Sequence, residues 1–372
     1  MRVFLFATTS LEAPFFRNLA AGLRGRGLEV DGSSLFPGPP VARSNAPTAD
    51  TFSSLEMRSR FAYPFAALRL ARLLRQRAPD VLHAHLFDAG LVGVVAGHLA
   101  GTRVVVLSRH HMDEAWLLGA RAHVALDRWM ARRADAVIAV SGAVKAHMVE
   151  REGIAAGKIE VIRLGFDFAS LSPTAADRRR VREELGGDSG YVIGCIGRLF
   201  RNKGQQYLLQ AARALVTQIP DLRLVLVGSG DRTPLERMAR DHGLADRITF
   251  LGHRTDVPAC IAAMDLVVHP SLSEAFSQVI VETMAVGTPL IATQVGGAAE
   301  VIQDGETGML VPPADVEAMR AAISRLHGDR RRAEYMAAAG RAFVRSQFTV
   351  ERTVDEHARF YERVLDRRSV SH

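Results

Sequence analysis

The sequence is poor in cysteine, and it contains no long hydrophobic run. Only two of its 372 residues are cysteines, which excludes a small fold held together by disulfides. Cys195 and Cys260 lie in apolar stretches and are expected to be buried thiols of a reducing compartment. The longest apolar stretch, GLVGVVAGHLAG (90–101), is too short to span a membrane, and the apolar start of the chain is too short for a signal peptide. We therefore predict a cytoplasmic protein.

Aromatic residues and lysine are also scarce, although the chain is basic. The net charge is +7, aromatic residues make up 6%, and only Lys145, Lys158 and Lys203 are lysines. Most of the excess belongs to residues 1–170, which hold 21 Lys and Arg against 15 Asp and Glu. A nucleic-acid-binding protein should interleave basic and aromatic residues, and no such module is present. We therefore predict no nucleic-acid partner.

Short apolar runs alternate with amphipathic helical patterns in two successive series, which predicts βαβ units and parallel sheets. The runs are RVFLFA (2–7), DVLHAH (80–85), RVVVLS (103–108), AVIAVS (136–141) and IEVIRL (159–164), then YVIGCIGR (191–198), RLVLVGSG (223–230), ITFLG (248–252), LVVHPS (266–271) and PLIAT (289–293). We predict an α/β protein with two Rossmann-like, doubly wound domains, 1–170 and 171–345, facing across a cleft. A hinge segment covers 168–190. The terminal helix, 346–372, either packs on the second domain or crosses back to the first.

Ligands of such sheets bind beyond the carboxyl ends of the strands, so the loops there carry the candidate residues. In GRLFRNKG (197–204), Arg198 and Lys203 suit a diphosphate, although they could also be solvated surface charges. In SEAFSQVIVETMAVGTP (273–289), Glu274 and Glu282 are about two helical turns apart and can face the same cleft. The helix that begins near Ser277 offers N–H groups to an anion, whereas simple helix capping is the alternative.

Two further loops contain paired or closely spaced glycines. Gly296 and Gly297 in QVGGAAEVI (294–302) permit close approach of a ligand to the backbone, and a plain turn explains them equally well. The segment VGSGD (227–231) has the same two explanations.

Together these segments resemble glycosyltransferase family 4, the group 1 glycosyl transferases, which are retaining enzymes of the GT-B fold. The resemblance lies in GRL-x2-NKG, L-x-LVGSG, FLG and HPS-x2-EAF-x5-E-x-MA-x-G-x-P-x-IAT-x2-GG-x2-E across 191–315, and more thinly in PDVLHAHLFDAG (79–90), ADAVIAVSGAVK (134–145) and KIEVIRLGFD (158–167). It implies transfer of a hexosyl group from a nucleotide-diphosphate sugar to an unidentified acceptor, lipid-linked, glycan or small molecule. Cell-envelope, polysaccharide or glycolipid biosynthesis is the implied setting.

The resemblance also implies a role for each matching residue of the second domain. Arg198 and Lys203 would hold the donor diphosphate in place of a divalent metal, so neither a metal nor a cofactor is expected. Glu274 would lie near the sugar hydroxyls, and Glu282 near the ribose. The rest of the implied donor site consists of Gly252 and His253 near the base, and of Ala275, Phe276, Ser277 and Gln278. Because Ser277 stands where the family often has glycine, the phosphate cradle is expected to differ slightly.

The first domain matches the family less closely. In RHHMDE (109–114), His110 is preferred as the histidine that approaches the transferred sugar, and it completes the expected catalytic set with Glu274, Arg198 and Lys203. The loop ATTSLEAPFF (7–16) lacks the glycine pair of many members, so Thr9 and Ser10, with His111, are assigned to the acceptor side. The four histidines His83, His85, His110 and His111 could suggest a metal site, but no cysteine or well-spaced carboxylate completes it.

Other interpretations remain open from the sequence alone. A nucleotide-sugar epimerase or hydrolase of the same fold, or a non-catalytic paralogue that binds nucleotide sugars, would share much of the pattern. In LRLARLLRQR, the side chains of Arg69, Arg72 and Arg75 recur every three residues, with Arg58 and Arg60 nearby. This stripe is either the solvated face of an ordinary helix or a peripheral contact with an anionic membrane at the inner face of the cell membrane.

Overall fold

The computed structural model describes residues 1–9, 11, 13–37, 52–112, 120–187 and 190–370. The chain forms two compact units. The first comprises Met1–Phe166 together with Phe348–His372, and the second comprises Asp167–Gln347. The sequence analysis placed the corresponding boundaries at 170 and 345.

The first unit is built on a parallel sheet of seven strands in the order β3-β2-β1-β4-β5-β6-β7. Its central strands are apolar runs buried on both faces, as expected where helices cover both sides of a parallel sheet. The strands are β1 (Arg2–Ala7), β2 (Glu29–Ser34), β3 (Phe52–Ser54), β4 (Val81–His85), β5 (Val104–Arg109), β6 (Ala136–Ala139) and β7 (Ile159–Val161). The helices among them are α1 (Pro14–Gly25), α2 (Tyr63–Arg77), α3 (Phe87–Ala100), α4 (Arg121–Arg133) and α5 (Gly142–Glu150).

The second unit repeats this plan with six parallel strands in the order β10-β9-β8-β11-β12-β13. Its strands are β8 (Tyr191–Ile196), β9 (Leu222–Val227), β10 (Ile248–Gly252), β11 (Leu266–His269), β12 (Leu290–Thr293) and β13 (Met309–Val311). Its helices are α6 (Ala175–Glu184), α7 (Gln205–Leu215), α8 (Thr233–Asp241), α9 (Val257–Ala262), α10 (Gln278–Val286), α11 (Ala298–Val301), α12 (Val316–Gly328) and α13 (Arg330–Gln347). Two parallel-sheet α/β units confirm the predicted fold class.

The terminal helix α14 (Val350–Val370) belongs to the first unit. Its apolar side chains, among them Val354 and Tyr361, are part of the same core as Leu5 and Leu19. The hydroxyl of Thr353 donates a 2.9 Å hydrogen bond to the carbonyl of Arg163. Of the two placements left open by the sequence, the helix adopts the one that crosses back.

Three strands and one helix differ from the sequence-based expectation. Strands β2, β3 and β13 were not predicted, because β2 reads EVDGSS and the other two have only three residues each. The predicted hinge segment contains α6, whose first turn is closed by a reciprocal capping box between Thr174 and Asp177. The charged run of that segment therefore forms a helix of the second unit.

Within the described ranges, no helix combines the length and the apolar character needed to cross a bilayer.

Candidate active site

The candidate residues of the second unit collect where its sheet reverses strand order, between the neighbouring strands β8 and β11. Arg198 and Lys203 follow β8, and Glu274 follows β11. The two loops touch closely, because a Cβ atom on Gly204 would lie 1.8 Å from the carbonyl oxygen of Pro270. This is the point of a doubly wound sheet at which ligands bind.

The Glu274 carboxylate is buried and holds three polar partners through a single oxygen. Its Oε1 accepts hydrogen bonds from Lys203 Nζ at 2.6 Å and from the Ser271 hydroxyl at 2.8 Å. The Nε2 atom of His269 lies 3.0 Å from the same oxygen. None of these three contacts involves Oε2. The carboxylate is thus fixed in orientation from one side, as a residue that positions a ligand must be.

The same partners keep Glu274 ionised. Burial acts to raise the pKa of Glu274, but the hydrogen bond from His269 and the charge of Lys203 outweigh it and lower that pKa to about 2. Glu274 therefore carries a full negative charge at any physiological pH. A buried, fixed charge of this kind is suited to stabilising positive charge that develops on a neighbouring group.

Arg198 and Glu282 complete the set. Unlike Lys203 and Glu274, their charged groups have no hydrogen-bond or ion-pair partner among the described residues. The Arg198 side chain is exposed, and only its backbone carbonyl is engaged, by Gln205 Nε2 at 2.9 Å. Glu282 is half-buried on α10, and burial raises the pKa of its carboxyl group. One cation and one hydrogen-bonding carboxyl group are thus available to a ligand.

Helix α10 begins beside this cluster. Ser277 is its N-cap residue, but the side chain does not cap the helix and instead lies 3.0 Å from His269 Nε2. Gln278 is exposed, whereas Ala275 and Phe276 are buried. The first turn therefore has no side-chain cap, which is the arrangement that suits an anionic ligand at a helix N-terminus.

The two residues assigned to the base lie at the end of β10. Gly252 and His253 are both exposed, and the Gly252 carbonyl accepts a 2.8 Å hydrogen bond from the amide of Gly228. No contact places them against Glu274 in the described part of the chain.

Gly296 has a structural reason to be glycine. Its φ is +51°, and a Cβ atom there would lie 1.5 Å from the carbonyl oxygen of Glu274. The loop after β12 therefore packs directly on the backbone of Glu274. Gly296 supports the position of that residue, and this contact accounts for the glycine without a ligand.

In the first unit, the predicted sugar-contacting histidine belongs to a buried histidine cluster. His110 Nε2 lies 3.3 Å from His85 Nδ1. Burial, followed by the charge of His111, lowers the pKa of His110 to about 4, so its ring is neutral at pH 7. His83 uses both ring nitrogens, at 2.7 Å from the Tyr361 hydroxyl and 2.8 Å from the Ser108 hydroxyl. It has no free nitrogen for the alternative four-histidine metal site.

His111 is held in a separate ionic network. Its Nε2 donates to Asp127 at 2.8 Å, and Arg109 pairs with both oxygens of Glu152 at 3.0 and 3.1 Å. Burial acts to raise the pKa of Asp127, but the hydrogen bond from His111 and the charge of Arg109 lower it. The two adjacent histidines therefore have different surroundings. His110 packs against the rings of Phe15 and His85, whereas His111 is held by the Asp127 carboxylate.

The atoms of His111, His123 and Asp127 lie within 4.8 Å of one another, a grouping that could hold a metal ion. However, the Arg109 guanidinium is 3.4 Å from the same Asp127 oxygen. A cation would have to compete with that positive charge, so we interpret the cluster as a hydrogen-bonded network.

Of the predicted acceptor-side residues in the loop after β1, the structure describes Thr9 but not Ser10. Thr9 is exposed beyond the end of β1, and Ser10 lies outside the described residues. The neighbouring Thr8 hydroxyl accepts a 3.1 Å hydrogen bond from the amide of Ala89 and so anchors this loop to α3.

Sequence reasoning did not identify His269 or the Arg109–Glu152–Asp127 network. His269 had a usable signal, since it lies within the predicted strand LVVHPS (266–271), five residues before Glu274. Asp127 and Glu152 are distant in sequence from Arg109, and only the fold brings them together.

Comparison with known proteins agrees with this geometry. Residues 14–170 match the family described as Glycosyltransferase Family 4, and residues 190–329 match Glycosyl transferases group 1. A GDP-mannose-dependent alpha-(1-6)-phosphatidylinositol monomannoside mannosyltransferase of Mycolicibacterium smegmatis is 32% identical over 289 residues, which are 75% of each chain. The chain belongs to the glycosyltransferase family 4 enzymes.

The chain is also similar to a second transferase and to a solved structure. An alpha-D-kanosaminyltransferase of Streptomyces kanamyceticus is 28% identical over 311 residues, which are 80% of this chain and 81% of the relative. The crystal structure of Anabaena Alr3699/HepE in complex with UDP-glucose superposes with a TM-score of 0.80 at 25% identity, over 97% of this chain and 99% of that one. The protein is therefore a glycosyltransferase of the GT-B type.

Proposed function

We propose that this glycosyltransferase moves a hexosyl group from a nucleotide-diphosphate sugar to an acceptor hydroxyl, with retention of the anomeric configuration and without a divalent metal. The observation that carries the proposal is the ion pair between half-buried Lys203 and buried Glu274 at the switch point of the second sheet, with the exposed Arg198 in the same loop as Lys203. The likeness to Anabaena HepE, whose structure holds UDP-glucose, supports a nucleotide sugar as the donor.

Each residue has a role that follows from its charge and surroundings. Lys203 and Arg198 neutralise the diphosphate, which gains negative charge as it leaves. The backbone N–H groups that begin α10 assist them. Glu274 binds hydroxyls of the sugar and stabilises the positive charge that develops on its ring. The Glu282 carboxyl group is free to bind the hydroxyls of the ribose.

The proposed reaction occurs on one face of the sugar. The bond between C1 and the phosphate oxygen breaks, and the diphosphate departs with the electron pair. The acceptor oxygen forms the new bond to C1 from the same side, while its proton passes to the departing phosphate. Neutral His110 contributes as a hydrogen-bonding group toward the transferred sugar.

The setting of the reaction is proposed from two observations. Both cysteines are free and buried, as is typical of a reducing compartment such as the cytoplasm. The named substrate of the Mycolicibacterium relative, a phosphatidylinositol mannoside, favours glycolipid synthesis in the cell envelope.

The test is a panel of nucleotide hexoses with three acceptor classes, namely phosphatidylinositol in micelles, a soluble glycan and an aminocyclitol, all in EDTA. We expect release of nucleotide diphosphate that depends on one acceptor, and NMR of the product should show the anomeric configuration of the donor. Release that is equal without any acceptor would indicate a hydrolase. An inverted product, or a strict need for a divalent cation, would contradict the corresponding part of the proposal.

A further inference from the structure

Among the described residues of the first unit, the most exposed large apolar side chains lie together at the start of α2. Phe61 is 98% exposed, Phe65 is 61% exposed and Leu68 is 53% exposed. Single exposed leucines are ordinary on protein surfaces. Three large apolar side chains spaced four and three residues apart form a patch, and such patches mark interaction sites.

This patch is separate from the face of α2 that packs in the core. The buried face of α2 consists of Ala66, Ala67, Leu70, Ala71 and Leu74. At 100° per residue, Phe65 and Arg72 fall on the opposite side of the helix. Alanines and leucines of α2 therefore pack in the core, and the apolar patch lies on another face, which is exposed to solvent.

Arginines surround this apolar patch. Residues 52–77 contain six arginines and one acidic residue, Glu56, which gives a net charge of +5. Arg58 and Arg72 are exposed, and no hydrogen bond or ion pair among the described residues involves their guanidinium groups. Arg69 and Arg75 donate to backbone carbonyl oxygens, and no acidic group in the described part of the chain neutralises their charges.

Two of the six arginines are paired with acids. Arg60 lies 3.3 Å from Asp88, and Arg77 lies 3.4 Å from Asp31. Of the arginines that the sequence analysis grouped, Arg58, Arg69, Arg72 and Arg75 thus have no acidic partner among the described residues. The spacing of the arginines did not indicate the exposed phenylalanines and leucine beside them.

We propose that Arg58, Phe61, Phe65, Leu68 and Arg72 form a docking surface, here called the α2 surface, for an anionic lipid bilayer. The apolar side chains would insert at the level of the headgroups, while the arginines bind lipid phosphates above them. Charge complementarity selects this occupant, because a second copy of the chain would bring the same four arginine charges, which no acidic group among the described residues neutralises, against themselves. The inference is independent of the proposed function, since it needs neither donor nor acceptor.

The experiment is co-sedimentation of the full-length protein with vesicles of phosphatidylcholine alone or of phosphatidylcholine with phosphatidylglycerol. We expect binding only to the anionic vesicles. Each basic residue near such a surface contributes about fivefold to partitioning, so R58Q/R72Q should weaken binding about 25-fold. F61S/F65S/L68S should weaken it at least about 10-fold, because the apolar anchors are lost.

Matched controls come from the second unit. R213Q/R237Q removes two exposed arginines that also lack a partner among the described residues, and Y335S removes an exposed aromatic ring. Both should bind anionic vesicles like the wild type. Unchanged thermal unfolding and unchanged donor binding of the α2 variants would show that the loss is confined to the surface.

Several results would overturn the proposal. One is the absence of vesicle binding by the wild type, and another is binding that persists in both α2 variants. A third is that the α2 substitutions abolish concentration-dependent dimerisation but leave vesicle binding unaffected. A fourth is that they abolish binding to duplex DNA at the same salt but leave vesicle binding unaffected. Either of those would assign the surface to another partner.

Discussion

Substitution of Gly296 by alanine tests whether the backbone of Glu274 is held by the loop after β12. The new Cβ would lie 1.5 Å from the Glu274 carbonyl oxygen, less than half an ordinary contact distance. The loop or Glu274 must therefore move, at a cost of about 1–3 kcal/mol for overpacking. The positive φ of +51° adds about 1–2 kcal/mol for any residue with a Cβ atom.

The matched control is Gly243→Ala in the same unit. Gly243 has a φ of +68°, and nothing lies within 4 Å of its added Cβ atom. It should therefore incur only the backbone cost of about 1–2 kcal/mol. Urea unfolding followed by circular dichroism gives the free energies, and initial rates with the donor give the turnover.

We expect Gly296→Ala to be less stable than Gly243→Ala by at least about 1 kcal/mol. It should also lose about tenfold or more in turnover, since displacement of a positioning group is costly to catalysis. If both variants had the same stability and the same turnover, the proposed support of Glu274 by Gly296 would be refuted.

Three further predictions concern the Lys203–Glu274 pair of the second unit and the buried His83–Tyr361 pair of the first. Lys203→Met should weaken binding of the nucleoside diphosphate about 10- to 100-fold and leave nucleoside binding unchanged in calorimetry, whereas Lys145→Met should change neither. Glu274→Gln should lower turnover about 100-fold or more. Because the folded-state pKa of Glu274 is lowered from 4.5 to about 2, its ionic stabilisation is complete above pH 4.5 and is lost as the pH falls toward 2; the Gln variant should lack this component in acid titrations. Tyr361→Phe should lower the free energy of unfolding by about 1–3 kcal/mol, because it removes the buried partner of His83 Nδ1, and an unchanged value would contradict that role.

Much of the fold could be predicted from periodicity, because apolar runs buried on both faces have a strong sequence signal. The central strands β4, β5 and β8 lie within one or two residues of their predicted bounds. Strand β2 could not be recognised, since Asp31 and Gly32 occupy its middle and its pairing with β1 supplies the stability. Tertiary context outweighed local propensity there.

Some residues of the candidate site could likewise be predicted from the sequence, and others could not. Arg198, Lys203 and Glu274 could be proposed because each lies in a loop that follows a strand, and the topology brings those loops together. The position of His269 in a predicted strand was a usable signal. Its contact with Glu274, like that of Ser271, forms only once the turn after β11 has closed. The role of Gly296 was ambiguous in sequence, because a close ligand and a close carbonyl both require glycine.

The central claim is that the second unit binds a nucleotide diphosphate through Arg198 and Lys203 without a metal. Calorimetric titration of UDP, GDP, ADP and dTDP, each compared with its nucleoside in EDTA, tests it most directly. We predict that one diphosphate binds at least about tenfold tighter than its nucleoside, and that Lys203→Met abolishes the difference. Equal affinity for nucleoside and diphosphate, or binding that appears only when a divalent cation is restored, would contradict the account.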